Sequence, residues 1–381
     1  MKPKERIEAL FAGQKPDKLP VMHMSFSSRV ASEILGREAY VGGGIQQWRE
    51  AAALWNGPDA HAEFIEWTRR DALDIAKACG HDMVRPSYWR DKRKPVAQID
   101  EYTFRYEAPD GSWEVKRLDL EMELYNTVEH SPRAPLTFED LEAAVEKEEE
   151  AAERYVPTRE TFADLQYVLD EAGGEMAIRA AGPWTCIPAD EPAWLEATLL
   201  APELVARYLD AQLAVSLKNI EVVTGMGMKY LFGGGDFAAN QGPMYSPKVF
   251  HELMLPRLKR ISEECRRRGT HHLFGTDGNV WAVADDLYGA SGISGHYEYD
   301  RRAGMDPIEV HRRFPELVMI GNISSHTLHT GTVEDVVRET RECLDEAAET
   351  GRMITGCSNI IISQTPMENV HAMLDAIEKY R

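Results

Sequence analysis

Eight short apolar runs recur along the chain: Leu19–Met24, His81–Pro86, Ala177–Ala181, Lys229–Phe232, His271–Phe274, Ile293–Tyr297, Leu317–Ile320 and Met353–Thr355. Helical patterns lie between most of them. In Glu63–Cys79, for example, Phe64, Trp67, Leu73, Ile75 and Ala76 fall on one side, and Gly80 stops the helix. Strand, polar loop, helix, strand is the rhythm of parallel βα units, and eight strands of this kind predict an α/β fold, a (β/α)8 TIM barrel. Residues 1–381 are expected to form that one unit. Residues 95–130 break the rhythm: alternating runs flank Asp110-Gly111, which predicts an inserted β-hairpin near the barrel mouth. The insert is too short for a core of its own.

Several runs end in glycines or small residues followed by a polar side chain, the place where a barrel of this type carries its chemistry. Asp236 follows the fourth run behind Gly233, Gly234 and Gly235, glycines that would let a ligand approach the backbone. Asp277 and Asn279 follow the fifth. His296 and Glu298 end the sixth, on one face if strict alternation holds. A histidine and three carboxylates on one rim make a candidate metal or acid–base cluster, because gathered carboxylates demand a proton or a cation. Asp236, Asp277 and Glu298 are therefore the catalytic candidates, and Asp277, His296 and Glu298 the metal candidates. His23, Trp184, Asn240, Asn279, Asn322 and Asn359 sit at or just beyond strand ends and are the candidates for substrate binding. His271 and His272 point to opposite sides of their strand, so at most one faces the barrel axis.

The charge balance changes the picture only by exclusion. With 63 acidic and 43 basic side chains the net charge is -20. A nucleic-acid partner, which needs a positive surface, is not expected. No run approaches the ~20 apolar residues of a membrane span. No secretory pattern opens the sequence, and the five cysteines lack paired spacing, which together suggest a cytoplasmic protein with free thiols.

The segments GGGDFAANQGPMYSPKVFHELMLPRLKRI, GTDGNV, AGMDP, IGNIS and TPMENVHAMLDAI, in this order, resemble the uroporphyrinogen decarboxylase superfamily, and within it most closely the corrinoid-dependent methyltransferases. The resemblance implies an enzyme that moves a methyl group from a small O- or N-methylated substrate, such as an aromatic ether, to a corrinoid carried by a partner protein. It implies a divalent metal, with zinc the first candidate, and leaves a homodimer open. Cys357 falls near the third zinc ligand of those methyltransferases and joins the metal candidates. Their His-x-Cys pair, however, is matched here by Gly275 and Asp277. The arginine-rich motif of the decarboxylase proper is also missing: MHMSFSSRVASEIL offers only Arg29, which argues against porphyrinogen decarboxylation. The alternatives are a decarboxylase or lyase acting on a non-porphyrin acid, and a tetrapyrrole- or corrinoid-binding protein without catalysis.

Overall fold

The computed structural model describes all 381 residues. Seven parallel strands stand side by side in the order Met83–Val84, Ala177–Ala181, Tyr230–Gly234, His271–Gly275, Gly295–Tyr297, Val318–Ile320 and Met353–Ile354. The segment around Val21 closes the ring. It bridges Thr355 in parallel on one side, and its carbonyl accepts the Asp82 N–H at 2.8 Å on the other. The curled sheet is thus the expected TIM barrel, and each strand lies inside or against one of the eight apolar runs.

Period-two alternation sorts the side chains into two layers. Met22, Met24, Met83, Ala177, Tyr230, Phe232, Leu273, Tyr297, Val318, Ile320 and Ile354 pack together along the axis. The residues between them face outward into the helical layer: Val21 and Cys357 join one outer cluster, and Phe274 and Met319 another. The helix Pro3–Phe11 stoppers the N-terminal end of the barrel, with Ile7 and Leu10 buried against the axial cluster. His271 faces the axis at that closed end, stacked 5.6 Å from Tyr230, while His272 faces outward and hydrogen-bonds Ser262 at 2.8 Å. No helix is long and apolar enough to cross a membrane.

Residues 95–130 are larger than the hairpin expected. They form a four-stranded antiparallel meander of Ala97–Asp100, Thr103–Glu107, Trp113–Asp119 and Leu124–His130. Asp110-Gly111 does make its central turn, but the outer strands carry little hydrophobic signal because only Tyr125 among Leu124–His130 is buried. One face of the meander is covered by the helix Gly44–Asn56, so that Ile45, Ala51, Phe104, Tyr106, Leu118 and Tyr125 form a small shared core. The meander is tied to the barrel by Glu123. Its carboxylate accepts the Ser28 and Arg29 N–H groups at 2.6 and 2.7 Å, at the start of the helix Ser28–Leu35. A carboxylate there satisfies free N–H donors and complements the helix dipole.

Candidate active site

Three carboxylates meet at the C-terminal rim of the barrel. Asp236, Asp277 and Glu298 each offer an oxygen, and these atoms all lie within 4.8 Å of one another. Each follows a different strand, the fourth, fifth and sixth, so the parallel topology gathers residues distant in sequence. Asn359, beyond the eighth strand, donates Nδ2–H to both oxygens of Asp277 at 3.2 and 3.0 Å. Its Oδ1 accepts the Ile360 N–H at 2.7 Å, which fixes the amide's orientation.

Burial and the neighbouring carboxylates raise two of the three groups. Asp277 is pushed up to about 6, first by desolvation and then by Asp236, against the opposing hydrogen bond from Asn359. Glu298 is pushed up to about 7, mainly by desolvation; Arg179 pulls it down, and Asp277 and Asp236 push it further up. Like charges gathered in a partly desolvated site resist full ionisation.

The glycines before Asp236 serve packing rather than ligand approach. A methyl on Gly233 would strike the Pro183 carbonyl, one on Gly234 the Gly275 carbonyl, and one on Gly235 the Cys186 side chain. Gly275 is confined in the same way, since the Tyr297 ring fills the space its side chain would need. The Tyr297 hydroxyl donates to the Gly233 carbonyl at 2.6 Å.

Several expected site residues are used elsewhere. His296 does not join the carboxylates. The strand ends at Tyr297, and Glu298 has a φ of 64°, so alternation fails at that step and the two side chains diverge. His296 faces outward and is fully buried, with Nδ1 paired to the Tyr288 hydroxyl at 2.7 Å and Nε2 to the Thr276 carbonyl at 3.0 Å. Cys357 also lies in the outer layer, where burial pushes its thiol up to about 12, the opposite of what a thiolate ligand requires. His23 points outward beside it, its Nδ1 accepting the Cys357 N–H at 3.0 Å.

Asn279 is a loop fastener: Nδ2 donates to the Ala303 carbonyl at 2.9 Å and Oδ1 accepts the Trp281 N–H at 3.0 Å. Asn322 is buried and donates outward to the Cys343 carbonyl at 3.0 Å. Trp184 and Asn240 stand exposed on loops after the third and fourth strands. Of the substrate-binding candidates, only Asn359 touches the carboxylate cluster.

Two arginines went unrecognised in the sequence. Arg85 follows the second strand two positions after Met83, and Arg179 lies in the third two positions after Ala177. Both therefore continue the axial register toward the mouth. The signal was available: a charged residue two positions beyond an axial apolar residue is out of place unless it faces a polar cavity.

Fold and rim together define a (β/α)8 barrel with three carboxylates gathered at its C-terminal mouth. A family model described as uroporphyrinogen decarboxylase matches residues 126–380, well over half of the chain. The chain belongs to that enzyme family. Among solved structures, a methyltransferase from Methanosarcina mazei superposes with a TM-score of 0.62 at 17% identity, covering 100% of this chain and 99% of that one. A xylose isomerase-like TIM barrel protein from Mycobacterium smegmatis, in complex with magnesium, gives a TM-score of 0.31 at 12% identity over 72% of this chain and 94% of that one. No curated protein matches the chain.

Proposed function

We propose that this protein is a methyltransferase that takes a methyl group from a small O- or N-methylated substrate and delivers it to a corrinoid on a partner protein. The observation that carries the reading is the Asp236–Asp277–Glu298 cluster, with Glu298 poised near neutrality. Methyl transfer breaks a carbon–oxygen or carbon–nitrogen bond, and the departing atom must be protonated or coordinated as the bond breaks. Glu298, raised to about 7, is matched to hold that proton and release it to the leaving atom. Asp277, raised to about 6 and oriented by Asn359, is suited to bind the substrate's polar end or to take the proton back.

A zinc site built on thiolates does not fit. Cys357 is buried in the outer layer, and Tyr297 occupies the space that a ligand at position 275 would need. Three carboxylate oxygens suit a harder divalent cation instead, which would supply Lewis acidity at the leaving atom. Asp236, Asp277 and Glu298 would hold it as ionised carboxylates, and its Lewis acidity would then take the place of the Glu298 proton. The coherence of this cluster speaks against a barrel kept only for binding.

The test is methyl transfer to supplied cob(I)alamin, followed by the absorbance of methylcobalamin, with metal content measured on protein purified without added metal. Asp277→Asn and Glu298→Gln should each lower the rate by roughly 10²- to 10⁴-fold, the range of a lost general acid or base. Full activity in either variant overturns the reading. A second reading, decarboxylation of a non-porphyrin acid, is favoured by Arg85 and Arg179, and carbon dioxide release without methyl transfer would identify it.

A further inference from the structure

Arg85 and Arg179 stand close enough to Glu298 for their charges to act on it, yet neither has a carboxylate oxygen within 4.0 Å. Elsewhere the chain pairs its sheltered arginines. Arg6 meets the fully buried Asp82 at 3.0 Å, Arg90 meets the fully buried Glu50 at 2.5 Å, and Arg301 meets Glu346 at 2.8 Å. At the mouth the pairing is withheld although three carboxylates share the rim.

The two guanidiniums are held in place by other means. The Arg85 guanidinium lies 4.9 Å from the Tyr88 ring centroid and 4.2 Å from that of Trp89. Its Nε–H donates to the Ser87 carbonyl at 2.9 Å, and its Nη1 to the Met24 carbonyl at 3.3 Å. The Arg179 guanidinium lies 4.7 Å from the Phe232 ring and 4.9 Å from that of Tyr297, and its Nη1 is buried with no hydrogen-bond partner. A desolvated cation with an unused donor is costly unless something anionic meets it. A guanidinium also presents its N–H groups as a fork that matches a carboxylate. The mouth is thus divided: donors and positive charge stand on the second and third strands, acids on the fourth, fifth and sixth.

We propose that Arg85 and Arg179 form a subsite for a carboxylate, so that the substrate is a small organic acid whose anionic end docks on the arginines and whose other end reaches Asp236, Asp277 and Glu298. For the identity of that reacting end, a methyl group on oxygen or nitrogen, the inference rests on the function proposed above. The anion subsite itself does not.

Calorimetric titration tests it with methoxyacetate, N,N-dimethylglycine and the three methoxybenzoates, each against its uncharged primary amide. At least one acid should bind the wild-type protein about 10- to 100-fold tighter than its amide, the worth of charge-assisted hydrogen bonds. Arg179→Gln and Arg85→Gln should abolish that preference while leaving the amide's affinity in place and the protein folded. Arg179→Lys should retain part of it. No binding across the series, equal affinity for acids and amides, or a preference that survives both glutamine variants overturns the subsite. Because binding is read without turnover, an acid that binds but donates no methyl group to cob(I)alamin would sink the proposed reaction and leave the subsite standing.

Discussion

Asn359 lies across the barrel mouth from the fifth strand and donates its single amide nitrogen to both oxygens of Asp277, at 3.2 and 3.0 Å. Its own carbonyl oxygen is occupied by the Ile360 N–H, so it cannot turn over and offer an acceptor instead. The contact steadies the ionised form of Asp277 against the burial and the Asp236 charge that oppose it. Asn359→Asp exchanges that donor for a third acid beside Asp277. The Asp277 carboxyl should then titrate above its value of about 6. The methyl-transfer rate should fall by roughly 10- to 100-fold, as expected for a lost hydrogen bond to a charged group. Carbon-13 titration of labelled aspartate reads the first effect, and an unmoved Asp277 signal would refute it.

The raised carboxyls give stability a defined pH slope. Asp277 rises from 3.8 to about 6 and Glu298 from 4.5 to about 7, so the folded protein holds protons that the unfolded chain has already released. Their contribution is complete below the unfolded values and is lost as pH climbs through about 6 and 7. Chelator-treated protein should therefore be less stable at pH 8 than at pH 5 in denaturant titrations, other groups apart. Glu298→Gln should reduce that slope and stabilise the protein at the higher pH by about 1–2 kcal/mol, after allowance for partial solvent screening. A steeper slope in the variant would contradict this.

His296 is assigned a structural role. His296→Ala leaves the Tyr288 hydroxyl and the Thr276 carbonyl without their partner and opens a cavity in the outer layer. The expected loss is about 2–4 kcal/mol of stability. Bound metal, measured on the folded variant at low temperature, should be unchanged. Loss of metal without loss of stability would return His296 to the site.

Glu123 carries the docking of the meander. Glu123→Ala removes the acceptor for the Ser28 and Arg29 N–H groups and should cost about 1–3 kcal/mol. Hydrogen exchange should rise first within residues 97–130, before the axial strands lose protection. Uniform loss of protection would show that the meander and barrel open together.

What the sequence disclosed and what it concealed follow from the same backbone rule. The barrel strands were legible because each is a dense apolar run, and Asp236, Asp277 and Glu298 because each closes one. Alternation misled where a positive φ intervened: at Glu298, where it is uncommon for a residue with a side chain, it turned the carboxylate away from the face shared with His296, and at Gly321, with a φ of 78°, it turned Asn322 away from the axial face of Ile320. The meander's outer strands were hidden because they take their register from a neighbour rather than from buried residues. His23 and Cys357 belonged to strand ends but to the outward layer, a parity that becomes readable once Met22, Met24 and Ile354 are known to face the axis.

The stopper closes the far end of the barrel. With Ile7 and Leu10 sealing the floor, the mouth is the only doorway to Asp236, Asp277 and Glu298 along the axis. In the reaction proposed above, a small substrate and the protein that brings the acceptor would have to share that doorway, and the larger one would shut it behind the smaller. Loading would then be sequential, substrate first and carrier second, and excess carrier would act as a competitor by arriving early. The order would be a property of the plugged cylinder, with no moving lid required.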